Sequence, residues 1–185
     1  SLTNHNSDMP EGHYAEDQMK QTVVPNRNAI FSSLLFATAL SLSKDHGGKA
    51  RIALGVHSGD HAIYPDCRPE FYIAIEQAFK VGNWDAEHVN FDLPYLHLDK
   101  AGILSDGLAS CETLSLDFDT VLGNTLTSYA PDEQGRSLGT TGADVERILA
   151  FHDIGRVDPV PYVEAWETVL SNALKLRAAH EEGTT

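Results

Sequence analysis

Between residues 29 and 43, Ile30, Phe31, Leu34, Leu35, Phe36, Ala37, Leu40 and Leu42 leave little polar face. A helix that is apolar on all sides is a buried one. Asn26 or Asn28 is placed to cap its first turn, and Gly47-Gly48 to end it. Residues 50–56 are too short and too apolar for a surface helix, and they predict a parallel strand buried on both faces. Pro69 opens a helix to about residue 81 with Phe71, Ile75, Ala78 and Phe79 on one side, and Gly82-Asn83 closes it. Residues 87–93 alternate Val89, Phe91 and Leu93 with polar neighbours, the pattern of a strand with one wetter face. Asp99 caps a weaker helix to about residue 108, interrupted by Gly102 and Gly107. Strand, helix, strand and helix at these spacings predict a parallel α/β sheet.

The flanks are less regular. Residues 1–21 are polar with almost no apolar period and read as a surface loop. Pro25 makes residues 22–25 an extended lead-in. Residues 114–129 have no clear period, residues 130–144 are a Gly-, Thr-, Ser- and Asp-rich loop, and residues 145–152 have a short helical one. Pro159 and Pro161 set off an amphipathic C-terminal stripe over 162–179, formed by Val163, Trp166, Val169, Leu170, Ala173, Leu174 and Arg177. That stripe needs a surface, either its own domain or a second copy in a homodimer. The expected division is an α/β domain over 1–158 and a helical extension over 159–185, in a chain long enough to bury a sizeable core.

Composition narrows the classes of function. The chain is 42% hydrophobic and 22% charged, as soluble globular proteins are. Thirteen Lys and Arg against 27 Asp and Glu give a net charge of −14, which repels nucleic acid and anionic membrane alike. A small anionic ligand stays compatible, because Arg27, Arg51, Arg68 and Lys100 sit in apolar or loop-like surroundings. Cys67 and Cys111 are too few for a disulfide scaffold, and no run approaches the roughly 20 apolar residues of a membrane span. The expected location is the cytoplasm.

The densest chemistry lies in residues 57–68, between a strand and a helix, where open α/β sheets build ligand sites. In His57-Ser58-Gly59-Asp60-His61 the two His, four apart with a carboxylate between, would share a metal-binding face if helical, but Gly59 and Tyr64-Pro65 argue for a loop. Beside metal ligation stand hydrogen bonding to a ligand, the leading reading, since neutral His and Asp together read a donor and acceptor edge, and plain loop structure. In Tyr64-Pro65-Asp66-Cys67-Arg68, Asp66 can take an amidine edge and Arg68 an anionic or carbonyl group; alternatively the two pair and cap the next helix. Asp66 and Arg68 rank ahead of His57 and His61 as recognition residues. A nucleophilic Cys67 would need a base and an electropositive setting that Arg68 only partly supplies. Val24-Pro25-Asn26-Arg27-Asn28 opens a helix whose N-terminus and Arg27 favour phosphate, with Lys100 as a second contact or a solvated side chain. No general phosphate-loop motif accompanies them.

In this order, residues 24–28, Gly55 through Asp60, Tyr64-Pro65-Asp66-Cys67-Arg68-Pro69-Glu70-Phe71 and Asp99-Lys100-Ala101 resemble the 7-cyano-7-deazaguanine synthase family. Ser1-Leu2-Thr3 and Asn124-Thr125-Leu126-Thr127 also look like family segments. The resemblance implies a three-layer α/β/α parallel sheet of the adenine-nucleotide α-hydrolase-like fold. It implies an ATP-dependent ligase, with magnesium, converting 7-carboxy-7-deazaguanine and ammonia to the nitrile on the queuosine and deazapurine route. Under it, Arg27 and Lys100 would lie near phosphates, and the deazapurine would face His57, Asp60, His61, Tyr64, Asp66, Cys67 and Arg68.

Two departures qualify it. The family's S-G-G-x-D-S pyrophosphate loop does not occur in the 185 residues, so an N-terminal part or another chain is expected to supply it. The family's four zinc cysteines are replaced by Ser128, Leu138, Thr141 and Asp144, which predicts no zinc and a loop over 130–144 that is mobile unless the C-terminal stripe braces it. A non-catalytic deazapurine-binding or assembly module, and a ligase using another amine, are the alternative functions.

Overall fold

Strands β1 (Ala50–Ala53) and β2 (Val89–Asp92) pair in parallel, Ala50 opposite Val89 and Ala53 opposite Asp92. Helix α2 (Pro69–Gly82) connects them, and α1 (Arg27–His46) precedes β1. These elements form one compact unit, Val23–Leu98; the other joins Ser1–Thr22 to Asp99–Thr185. The computed structural model describes residues 9–183, so the Ser1-Leu2-Thr3 segment lies outside the described residues.

Phe36 and Leu40 of α1 pack with Phe79 of α2 on Ile52, Val89 and Phe91 of the sheet, and the Phe36 and Phe79 ring centroids are 4.7 Å apart. The helical cover is on this face. On the other, Arg51 and Ala53 are exposed, and Arg51 reaches Asp92 at 3.2 Å. The strand expected over 50–56 therefore spans four residues and buries one face. Leu54 adds one bond to the Asp92 carbonyl before the chain turns into the loop. Of the three expected layers, the described residues of this unit form two, within a mixed α/β fold with a parallel sheet.

Helix α1 is likewise less buried than its composition predicts. It buries the stripe Ser32, Phe36, Leu40 and Ser43, while Ile30, Phe31, Leu34, Leu35 and Leu42 are exposed. Gly47 ends it with φ 65° and donates to the Ser43 carbonyl.

The second unit is helical: α3 (Lys100–Leu114), α4 (Phe118–Gly123), α5 (Gly142–Asp153) and α6 (Trp166–Gly183). Its centre is α5. Phe151 packs with Leu104 and Cys111 of α3 and Phe118 of α4; Val145, Ile148 and Leu149 pack with Val169 and Ala173 of α6. Asp99 caps α3, its carboxylate accepting from the Gly102 N–H at 2.8 Å. The helix runs past the expected residue 108 because Cys111 adds to this core. The unclear stretch 114–129 holds α4, capped by Asp117. The C-terminal stripe lies on α5 of its own unit, and its helix starts at Trp166 because residues 161–163 run beside Ser137: Ser137 N–H donates to the Pro161 carbonyl and Val163 N–H to Ser137, both at 3.0 Å.

Residues 9–22 are docked and not a free surface loop. The Gly12 N–H donates to the Thr140 carbonyl at 3.1 Å, a 3-10 turn spans Asp17–Thr22, and His13 and Met19 are buried. Met19 lies where a side chain on Gly142 would sit. A few scattered side chains, His13, Met19 and Thr22 buried among them, and backbone bonds hold the segment, which is why no helical stripe marks it. No described helix is long and apolar enough to cross a membrane.

His13 stacks on His180 with centroids 4.2 Å apart, and its Nδ1 accepts from the Ala15 N–H. Burial, then the His180 charge, holds its pKa below 6.5, against opposing pulls from Glu16, Glu146 and Glu181. The unfolded chain binds more protons at this site, so its contribution is intact above pH 6.5 and is lost as pH falls through the folded-state value. Thermal midpoints at pH 7.5 and 5.5 should fall further for the wild type than for His13→Gln; equal falls would remove His13 from the pH response.

Candidate functional site

The loop after β1 folds as two 3-10 turns, Ser58–Asp60 and Pro65–Cys67, and not as a helix. His57 and His61 therefore do not share a helical face. His57 is buried, with Nε2 3.4 Å from an Asp60 carboxylate oxygen. Asp60 also lies 4.0 Å from the Cys67 sulfur, at the limit for a thiol donor. The second turn packs on the start of α1, so the loop and the 24–28 segment build one structure.

Asp66 is the joint. Its carboxylate accepts from the Asn28 N–H at 3.2 Å, and its carbonyl accepts from the Asn28 side-chain amide at 3.0 Å. Asn26, in left-handed backbone with φ 63°, precedes the helix without a side-chain cap bond, so the anionic cap of α1 comes from a residue in the loop. Arg68 is also turned to backbone, donating from Nε to the His61 carbonyl at 2.7 Å. The two residues ranked first for recognition thus brace the loop and its junction with α1.

A cavity of about 310 Å³ opens beside them, lined by Arg27, Asn28, Phe31, Ser32, Leu54, Gly55, Val56, Asp60, Cys67 and Tyr72. Arg27, Asp60 and Cys67 were legible as candidates; His57, His61, Tyr64, Asp66 and Arg68 are not among the lining residues. The Arg27 guanidinium lies 5.8 Å from the Tyr64 ring centroid. Its Nε donates to the Asn28 amide oxygen at 3.2 Å, and the Asn28 NH2 is 3.4 Å from the Cys67 sulfur. Burial, then Asp60 and Asp66, pushes the Cys67 thiol up to about 12, so it stays protonated near neutrality and is no nucleophile. Burial likewise keeps Tyr72 a neutral phenol. Apolar walls, one cation and one carboxylate suit a flat heterocycle with a donor edge for Asp60 and a carbonyl or anionic group for Arg27.

Asn28, Ser32 and Tyr72 did not stand out as ligand contacts. Ser32 carried a signal: it is the polar member of the buried i, i+4, i+8 stripe with Phe36 and Leu40. Lys100 belongs to the other unit, where its ammonium pairs with the Glu146 carboxylate, both side chains largely buried.

The positions of the family's zinc cysteines are also in that unit. Leu138 has no ligand atom, and the Thr141 Oγ1 accepts from the Asp144 N–H at 3.3 Å. The Asp144 carboxylate accepts from the Gly139 and Thr141 N–H groups at 3.2 and 3.3 Å, which makes a capping box at the start of α5. Ser128 is buried, its hydroxyl without a partner among the described residues. Hydroxyls and one committed carboxylate do not fit a tetrahedral site that needs thiolates or imidazoles.

The family model described as "Queuosine biosynthesis protein QueC" matches residues 1–155. The chain is 43% identical over 162 residues to the 7-cyano-7-deazaguanine synthase of Methanoregula boonei, covering 88% of this chain and 67% of that protein. It is 44% identical over 155 residues to 7-cyano-7-deazaguanine synthase 1 of Colwellia psychrerythraea, covering 84% and 63%. With the corresponding enzyme of a Marinomonas strain it shares 42% over 162 residues, 88% of this chain and 66% of that one. The chain spans about two thirds of the length of the curated relatives it matches. No solved structure matches. With the family match running through both units, including the 27–72 cavity and the Thr141–Asp144 turn, the chain belongs to the queuosine biosynthesis QueC family.

Proposed function

We propose that this chain supplies the deazapurine-binding part of an ATP-dependent ligase that converts 7-carboxy-7-deazaguanine and ammonia to 7-cyano-7-deazaguanine in the cytoplasm. The observation that carries the reading is the cavity, which sets Arg27 and Asp60 on apolar walls within residues matched by the family. Asp60 takes the amidine-like N–H edge of the heterocycle, and Arg27 neutralises its carboxylate or a nucleotide phosphate beside it. Asn28 holds Arg27 and contacts the protonated Cys67, whose sulfur lies 4.0 Å from the Asp60 carboxylate. Asp66 fixes the wall by capping α1, and Arg68 fixes the loop from outside.

ATP, with magnesium, supplies a leaving group for the carboxylate oxygen. Among the cations expected at phosphate, Arg27 lines the cavity, whereas Lys100 is committed to Glu146. The 130–144 turn works without zinc, on the donor set described above.

Calorimetric titration with 7-carboxy-7-deazaguanine tests the reading. The wild type should bind one equivalent, and Asp60→Ala should weaken binding roughly 10–100-fold, as losing a charge-assisted hydrogen bond does. No binding by the wild type would sink the proposal. Mass spectrometry after adding ATP, magnesium and ammonia then separates catalysis, read as the nitrile, from a binding module, and other amines test for amide products.

A further inference from the structure

Helix α1 carries five hydroxyls, and four of them have partners. Ser33, Thr38 and Ser41 donate to the carbonyls of Ala29, Leu34 and Ala37 at 2.7, 3.0 and 3.1 Å, and Ser43 donates to that of Gly48. Ser32 differs. It is the most buried of the five, and its Oγ has no hydrogen-bond partner among the described residues, not even the carbonyl one turn back. A buried hydroxyl without a partner is costly, and few survive in native folds unless something from outside the protein satisfies them.

Ser32 adjoins the place where such a partner would arrive. It lines the 310 Å³ cavity with Arg27, Asp60, Cys67 and Tyr72. The neighbouring polar group Asn28 is spent: its amide nitrogen serves Asp66 and Cys67, and its oxygen serves Arg27. Burying Ser rather than Ala between Arg27 and Phe36 on an apolar stripe has no packing advantage, since the two side chains differ only by the hydroxyl.

We infer that Ser32 is a ligand-specificity residue, its hydroxyl hydrogen-bonding a ring nitrogen or carbonyl of the heterocycle that Asp60 and Arg27 hold. The inference rests on the deazapurine reading and sharpens it: the cavity selects a base with a polar atom on the α1 side and discriminates against a carbon isostere there. A site built to bond a polar ligand atom rejects the analogue lacking it because the site's own group is left unpaired.

The test pairs two measurements on Ser32→Ala, with Ser33→Ala as a control whose hydroxyl is already bonded. In the ligand-free protein, removing an unsatisfied buried hydroxyl should raise the thermal midpoint by about 2–4 °C. In titration with 7-carboxy-7-deazaguanine the same variant should bind roughly tenfold more weakly, one hydrogen bond's worth. Opposite signs in the two measurements support the inference, because a residue with only a structural role would not stabilise the free protein and weaken the complex together. A lowered or unchanged midpoint shows that the hydroxyl has a structural partner and overturns it. A raised midpoint with unchanged affinity overturns the ligand role alone, leaving the deazapurine reading standing. Failure of the wild type to bind overturns that reading and this inference with it.

Discussion

Asp158→Ala should cost the helical unit about 3–5 kcal/mol, the largest loss available from a single polar residue here. Asp158 receives Arg147 Nε and an η nitrogen at 2.6 and 2.9 Å, the Tyr162 hydroxyl at 2.9 Å and the Val160 N–H at 3.2 Å. The guanidinium also donates to Thr125 and Thr127 at 2.7 and 3.1 Å and to the Leu122 carbonyl at 3.1 Å, and it stacks over Phe151. The Arg147 and Asp158 side chains are themselves buried, so deleting the carboxylate leaves a charge that cannot be rehydrated without opening α5. Urea unfolding of the single variant and of Arg147→Met with Asp158→Leu separates the contributions. The double variant should recover much of the loss, because apolar replacement of a whole buried pair is often near neutral. Equal losses would mean that the hydrogen bonds to Thr125, Thr127 and Leu122 matter more than the uncompensated charge.

Asp144→Ala should cost about 2–4 kcal/mol by orphaning the buried Gly139 and Thr141 N–H groups and removing half of the capping box. EDTA should leave the wild-type midpoint unchanged, and added zinc should not rescue the variant. A chelator-induced fall of several degrees in the wild type would overturn the metal-free reading of this turn. The loop over 130–144 is held by more than the C-terminal stripe: Asp132 accepts from the Arg136 N–H and guanidinium at 2.8 Å, and Ser137 bonds with residues 161 and 163. Gly139 allows it to close on α6, its φ of 80° and the proximity of Val169 leaving no room for a side chain.

The elements with one clear signal were legible. Pro69, Gly47 and Asp99 marked real helix boundaries, and alternation marked β2. Burial was harder, because α1 and β1 are apolar on sides that their unit leaves exposed, and composition cannot say which faces are covered. For the site, residue types were visible and directions were not. Asp66 reads equally well as a ligand carboxylate or a cap, and the N–H that settles its orientation is 38 positions away. One signal was missed: Thr141 and Asp144 stand at the Ser/Thr-x-x-acid interval that marks a helix start, and α5 begins at Gly142, inside the stretch expected to be loop and before the apolar period at Val145. Ser32 was marked only by its place on the stripe with Phe36 and Leu40, among other hydroxyls with partners of their own.

Each unit carries one buried cysteine, Cys67 among the sheet-side residues and Cys111 in the helical core. Thiol-reactive dyes attack exposed thiolates, and both cysteines are buried in the folded chain. Labelling kinetics therefore count opening events, and peptide mapping of the two adducts assigns them to separate parts of the molecule. The pair is a native reporter that can tell whether ligand quiets the sheet unit alone, without any engineered probe.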